Sequence, residues 1–75
     1  MQQIKFHLQG DYIELIQLLK ATGIAQTGGH AKMIVDNGLV YRNGELETRK
    51  RAKLKAGDEL QIDSTFDVVL IESSN

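Results

Sequence analysis

Residues 38–55, Gly38-Leu39-Val40-Tyr41-Arg42-Asn43-Gly44-Glu45-Leu46-Glu47-Thr48-Arg49-Lys50-Arg51-Ala52-Lys53-Leu54-Lys55, decide how the 75-residue chain folds. Gly38 can end the preceding element, because glycine enters the left-handed conformation with no Cβ penalty. Leu39 to Arg42 is rich in β-formers. Asn43-Gly44 then predicts a type I′ hairpin turn, whose two central residues both need positive φ. Glu45 to Thr48 is the return strand. The stretch closes on five basic residues within the seven positions 49–55.

Upstream of Gly38 the periodicity changes. Ala31, Ile34 and Val35 recur at helical spacing, and Thr27 is a good N-cap, which predicts a helix over about 28–37. Tyr12, Leu15, Ile16 and Leu19 form an earlier stripe, with Gly23 as its stop, predicting a helix over about 11–22. Asp11 and Glu14 suggest a capping box at its start. Before it, Ile4, Phe6 and Leu8 alternate with Lys5, His7 and Gln9 as in a half-buried strand. Downstream, Ala56-Gly57-Asp58 is a turn, Leu60 to Ile62 a short strand and Phe66 to Ile71 a final one. Glu72 to Asn75 is expected to fray. Strand, helix, helix, hairpin and two strands make an α+β domain, with two short helices packed on a small mixed or antiparallel sheet.

Length and composition exclude several classes. A chain of 75 residues has room for one domain, 1–75. With no cysteine it has no disulfide, thiolate nucleophile or sulfur-ligated metal. No apolar run approaches the ~20 residues that span a bilayer. Met1-Gln2-Gln3-Ile4-Lys5 lacks the pattern of a signal peptide, so a cytoplasmic protein is expected. His7 and His30 have no second ligand at metal spacing, and a structural role is expected for both.

The net charge of −1 hides a segregation. Residues 1–31 balance to zero, residues 32–55 carry +4 and residues 56–75 carry −5. A polyanion responds to such a local block rather than to the total.

Taken together, these residues resemble the S4 RNA-binding domain. The resemblance rests on the leucine-rich first helix (Leu15 to Leu19) and Ala31-Lys32 on the second. It continues through Gly38-Leu39-Val40-Tyr41-Arg42-Asn43-Gly44 and Gly57-Asp58. The small stand-alone bacterial S4 proteins of the YbcJ type are similar again at Thr27-Gly28-Gly29-His30-Ala31-Lys32 and from Asn43 through Leu54. Two departures stand out. Arg42 occupies a position that is more often apolar, and Gly28-Gly29 replaces a Ser-Arg pair. The resemblance implies an S4-like (αL) fold, RNA as partner, no enzymatic activity, no cofactor, no small-molecule substrate and no membrane. A monomer is expected.

The candidate RNA contacts are Lys32, Arg49, Lys50, Arg51, Lys53 and Lys55. Lysine and arginine bind phosphate, and arginine adds a planar fork that can take two oxygens. In an extended 49–55 segment Arg49, Arg51, Lys53 and Lys55 share a face, with Lys50 opposite. Thr27-Gly28-Gly29 reads as a cap and tight turn in preference to a phosphate site. Glu45 and Glu47 lack a partner for acid–base chemistry and are expected to pair with basic residues. Phe6, Phe66 and Tyr12 fall on apolar faces, which leaves Tyr41 as the one ring free to stack. The target expected is structured RNA, ribosomal RNA first. An alternative is an adaptor that docks a basic partner through the acidic C-terminal third. A ubiquitin-like sulfur carrier is disfavoured, because the chain ends Ser73-Ser74-Asn75 rather than Gly-Gly.

Overall fold

The computed structural model describes residues 1–73. Among these, the order is β1 (Gln2–Leu8), β2 (Ile13–Glu14), α1 (Leu15–Ala21), α2 (Gly28–Asp36), β3 (Val40–Arg42), β4 (Glu45–Leu46), β5 (Lys53–Leu54), β6 (Glu59–Ile62) and β7 (Phe66–Glu72). Five strands form one mixed sheet in the order β1-β7-β6-β3-β4. β1 and β7 run parallel, and the remaining neighbours are antiparallel. β2 and β5 make a separate two-stranded ribbon. Both helices pack on one face of the large sheet, the α+β arrangement expected from the order of elements.

The core follows from the two periodicities. α1 contributes Leu15, Leu18 and Leu19, and α2 contributes Ala31, Ile34 and Val35. The sheet answers with Val40, Leu60, Ile62, Val68 and Leu70, alternate residues that point to one face. Ala52 and Leu54 extend the same core under the basic segment.

The hairpin is built as its dipeptide demands. Asn43 (φ 51°) and Gly44 (φ 87°) both lie in the left-handed region, as a type I′ turn requires. Gly38 (φ 71°) redirects the chain from α2 into β3.

Three expectations are corrected. The first helix begins at Leu15 instead of residue 11, and Glu14 occupies the N-cap position without making a side-chain cap. The capping box is absent because tertiary partners take its place. Ile13 and Glu14 pair with Leu54 and Lys53, the Leu15 N–H donates to the Ala52 carbonyl (2.9 Å), and the Ile16 N–H donates to the Lys50 carbonyl (3.3 Å). A seven-residue helix is marginal alone, so it depends on such contacts. Tyr12 therefore lies outside the helix and is 44% exposed. Second, the return strand ends at Leu46, although the Glu47 N–H still reaches the Val40 carbonyl at 2.9 Å. Third, the last strand includes Glu72, which is in register with Leu8, and the Ser73 N–H donates to the Leu8 carbonyl at 3.3 Å. The rest of the fraying expectation, Ser74 and Asn75, lies outside the described residues.

Candidate nucleic-acid interface

The basic segment 49–55 is not a straight strand. Only Lys53 and Leu54 are β, paired to β2, and the Ala52 N–H turns back to the Arg49 carbonyl at 3.2 Å. Ala52 and Leu54 point into the core, so Arg51, Lys53 and Lys55 point to solvent. The carbonyls of Lys50 and Ala52 receive the first N–H groups of α1, which moors this segment to the helix start.

A second clamp joins the hairpin to the turn before β6. The Asn43 N–H donates to the Glu59 carbonyl (2.8 Å), and the Glu59 N–H donates to Asn43 Oδ1 (2.9 Å). Asp58 accepts from Asn43 Nδ2 (3.1 Å), the Lys55 N–H (2.9 Å) and Arg42 Nη2 (2.7 Å). Burial pushes the Asp58 carboxyl up, but the Lys55 N–H, Asn43 and Arg42 outweigh it and hold the group below its ordinary range. Arg42 also donates to the Lys53 carbonyl (3.0 Å) and lies 3.6 Å from Glu47. Arg42 thus connects β3, β5 and the Gly57 turn. It was not among the candidate residues. A basic residue alternating with inward-facing Val40 signals a half-buried guanidinium in need of a carboxylate.

These supports surround a groove of about 530 Å³ lined by Arg42, Arg49, Arg51, Ala52, Lys53 and Lys55. Four of the six candidates thus meet in one place. Arg49 is bound to Glu47, and Arg51 lies 3.4 Å from Glu14 at the rim. Lys53 sits over the Tyr12 ring, 5.0 Å from its centroid, which places an exposed aromatic at the groove. Among the described residues neither Lys53 nor Lys55 has a carboxylate partner. Five cations against Glu14, Glu47 and Asp58 leave the groove net positive. A neighbouring hollow of about 420 Å³ shares Arg42 and Arg49 but also carries Glu45 and Glu47, and so lacks that bias.

The other two candidates lie apart from the groove lining. Lys50 reaches away to Asp36 on α2, 3.0 Å from its Oδ1. Lys32 is exposed one helical turn before Asp36, on the same stripe of α2, and so stands beside the Lys50–Asp36 pair.

The remaining signals resolve into structure. Thr27 Oγ1 accepts from the His30 N–H at 3.0 Å, and His30 Nδ1 accepts from the Gln26 N–H at 3.3 Å, a plain capped turn. Glu45 faces solvent, whereas Glu47 is 6% exposed and held below the usual carboxylate range by its hydrogen bond from Arg49, against the opposing pull of burial. Tyr12 corrects the assignment of aromatics: it is exposed like Tyr41, both at 44%, while Phe6 and Phe66 are half-buried. Among the described residues no group of three or more histidines and carboxylates could hold a metal ion, and no helix is long and apolar enough to cross a membrane.

Comparison with known proteins agrees with this architecture. The chain is 44% identical over 46 residues to the "Putative RNA-binding protein YbcJ" of Escherichia coli (strain K12), a match covering 61% of this chain and 66% of that protein. The same figures hold for the "Uncharacterized protein YbcJ" of Shigella flexneri. The match thus spans just under two thirds of these relatives' length. The family model for the S4 domain matches residues 6–70, nearly the whole described chain, and the protein belongs to the S4 domain family.

Proposed function

We propose that the chain is a non-enzymatic RNA-binding module, acting as a single domain and a monomer, that grips the phosphates of structured RNA. The observation that carries this reading is the groove where Arg42, Arg49, Arg51, Lys53 and Lys55 converge. The name of the Escherichia coli relative supports RNA as the polyanion, and ribosomal RNA is the first candidate.

The division of labour follows from the pairing. Lys53 and Lys55, which have no carboxylate partner among the described residues, supply point charges for phosphate. Arg49 and Arg51 supply forks, each with N–H groups left over after its contact with glutamate. Lys50 and Lys32 meet a second stretch of backbone along α2. Tyr12 offers one stacking surface at the groove. A row of rings is what holds unstructured single strands, each stack contributing about 1–3 kcal/mol. One ring beside clustered cations suits the phosphate geometry of a folded RNA instead.

The test is competition at fixed salt between a stable RNA hairpin and an unstructured strand of equal length. It is run with the wild type and with Arg51→Glu/Lys53→Glu/Lys55→Glu, three exposed positions whose reversal leaves the Arg42 and Glu47 clamp intact. The hairpin should win for the wild type, and the variant should lose it while keeping its circular dichroism spectrum. Unchanged hairpin affinity in the variant would overturn the assignment, and equal binding of both RNAs by the wild type would overturn the preference for folded RNA.

A further inference from the structure

The helices cover one face of the five-stranded sheet, and among the described residues nothing covers the other. Strand register fixes what stands there. One row across the sheet reads Leu46, Tyr41, Gln61, Asp67 and Gln3, and the next reads Glu59, Val69 and Lys5. Leu46 and Tyr41 are among the exposed large apolar residues of the chain, and Val69 and Ile71 are half-buried. Asp67, half-buried, and Glu59, exposed, are diagonal neighbours on this face.

Neither carboxylate is ion-paired among the described residues, although Lys5 stands on the same face. Asp67 Oδ1 is enclosed and accepts no hydrogen bond. Native proteins satisfy most such atoms, so an orphan acceptor beside a second carboxylate marks a place where a donor is missing. The neighbouring Asp67 also raises the Glu59 carboxyl above its ordinary range, as an uncompensated pair would.

We propose that this outer sheet face docks an arginine-bearing segment of a partner protein. Its guanidinium would be set on the Glu59–Asp67 pair and its apolar residues on Tyr41, Leu46, Val69 and Ile71. Charge complementarity selects the occupant: carboxylates repel RNA phosphate and attract a cation. A planar fork suits two adjacent carboxylates better than an ammonium, and it stacks on a tyrosine ring. The surface is separate from the RNA groove. Tyr41 and Arg42 are consecutive in β3 and point to opposite faces, so RNA and a basic protein segment can be held back to back.

The experiment is an NMR titration of the full chain at about 150 mM salt, where exposed charges are screened beyond roughly 8 Å. The probe is an extended peptide of about ten residues alternating arginine with valine. A glutamate-for-arginine version of the peptide is the control. Saturable shifts are expected at residues 41, 46, 59–61 and 67–71, with none for the control peptide. Glu59→Gln/Asp67→Asn should weaken the peptide at least about tenfold, the effect of losing a charged contact, and leave hairpin affinity unchanged. Tyr41→Ala, which leaves both carboxylates in place, should also weaken it. Asp11→Asn, which removes one carboxylate charge outside the sheet, should leave it within about twofold. Shifts confined to other residues, or equal affinity in the double variant, would overturn the proposal. So would sedimentation showing that the chain alone self-associates through this face, since the occupant would then be a second copy. Unchanged hairpin affinity in the groove variant would overturn the RNA reading and leave the peptide result standing, so the two readings fail separately.

Discussion

Glu47 holds Arg49 at both ends of its guanidinium, with Nε 3.1 Å from Oε2 and Nη2 3.1 Å from Oε1, while the Arg49 N–H also donates to Oε2 at 3.1 Å. The side chains differ sharply in exposure, 7% for Glu47 against 71% for Arg49. A buried carboxylate thus fixes the root of an exposed cation and steadies Arg42 from behind. Removing it leaves Arg49 without a carboxylate partner and Arg42 with Asp58 alone. Glu47→Ala should lower stability by about 1–3 kcal/mol, the range for losing one partner of a buried charged hydrogen bond, read as a shift in the urea midpoint. An unchanged midpoint would show that the contact contributes nothing.

Acid should act through the same clamp. Glu47 and Asp58 are held below their ordinary values of 4.5 and 3.8, so the unfolded chain takes up protons first as pH falls. Their stabilisation is therefore complete above those values and lost as pH drops through and below them. Glu59 has the opposite sign, because its raised value makes the folded state the better proton acceptor. Urea unfolding across pH should show Glu47→Gln flattening the acid loss. Glu59→Gln should be neutral or stabilising at neutral pH. A destabilised Glu59→Gln would contradict the uncompensated pair on the outer face.

The glycines separate by backbone rather than by contact. A Cβ at Gly44 meets open space, and one at Gly38 comes no closer than 4.0 Å to Leu46 Cδ1, so strain at positive φ is the only obstacle. Gly38→Val and Gly44→Val should each cost at least about 1 kcal/mol. Gly28 lies in α2 at an ordinary φ with nothing near its missing Cβ. Gly28→Ala should therefore be neutral or stabilise by up to about 1 kcal/mol, the helix propensity difference. Thermal melts of the three variants check the ranking.

Much of the fold is legible because local chemistry and tertiary packing agree. Asn43-Gly44 admits one turn, the stripe of Ala31, Ile34 and Val35 one helix face, and the apolar residues of Leu60 to Ile62 and Phe66 to Ile71 two strands. The start of α1 is not legible. Asp11 and Glu14 satisfy a local capping rule, yet the N–H groups of Leu15 and Ile16 go to carbonyls 37 and 34 residues further along the chain. Tyr12 is misplaced with that helix start. In the groove, the density of charge from 49 to 55 is visible in sequence, but its sorting is not. Lys50 leaves for Asp36 and Arg49 is tied to Glu47, while Arg42 enters from a strand seven residues upstream of Arg49, through a partner at Asp58. Such pairing depends on which loops meet, and composition does not encode it.

The most direct test of the central claim is the salt dependence of hairpin affinity, compared between the wild type and Lys53→Ala/Lys55→Ala. Three to five phosphate contacts predict that log K falls against log[salt] with a slope of about −2 to −4. Removing two of those contacts should flatten the slope by about 2, with the fold unchanged. A wild-type slope near zero, or an equal slope in the variant, would contradict a phosphate-gripping groove at these residues.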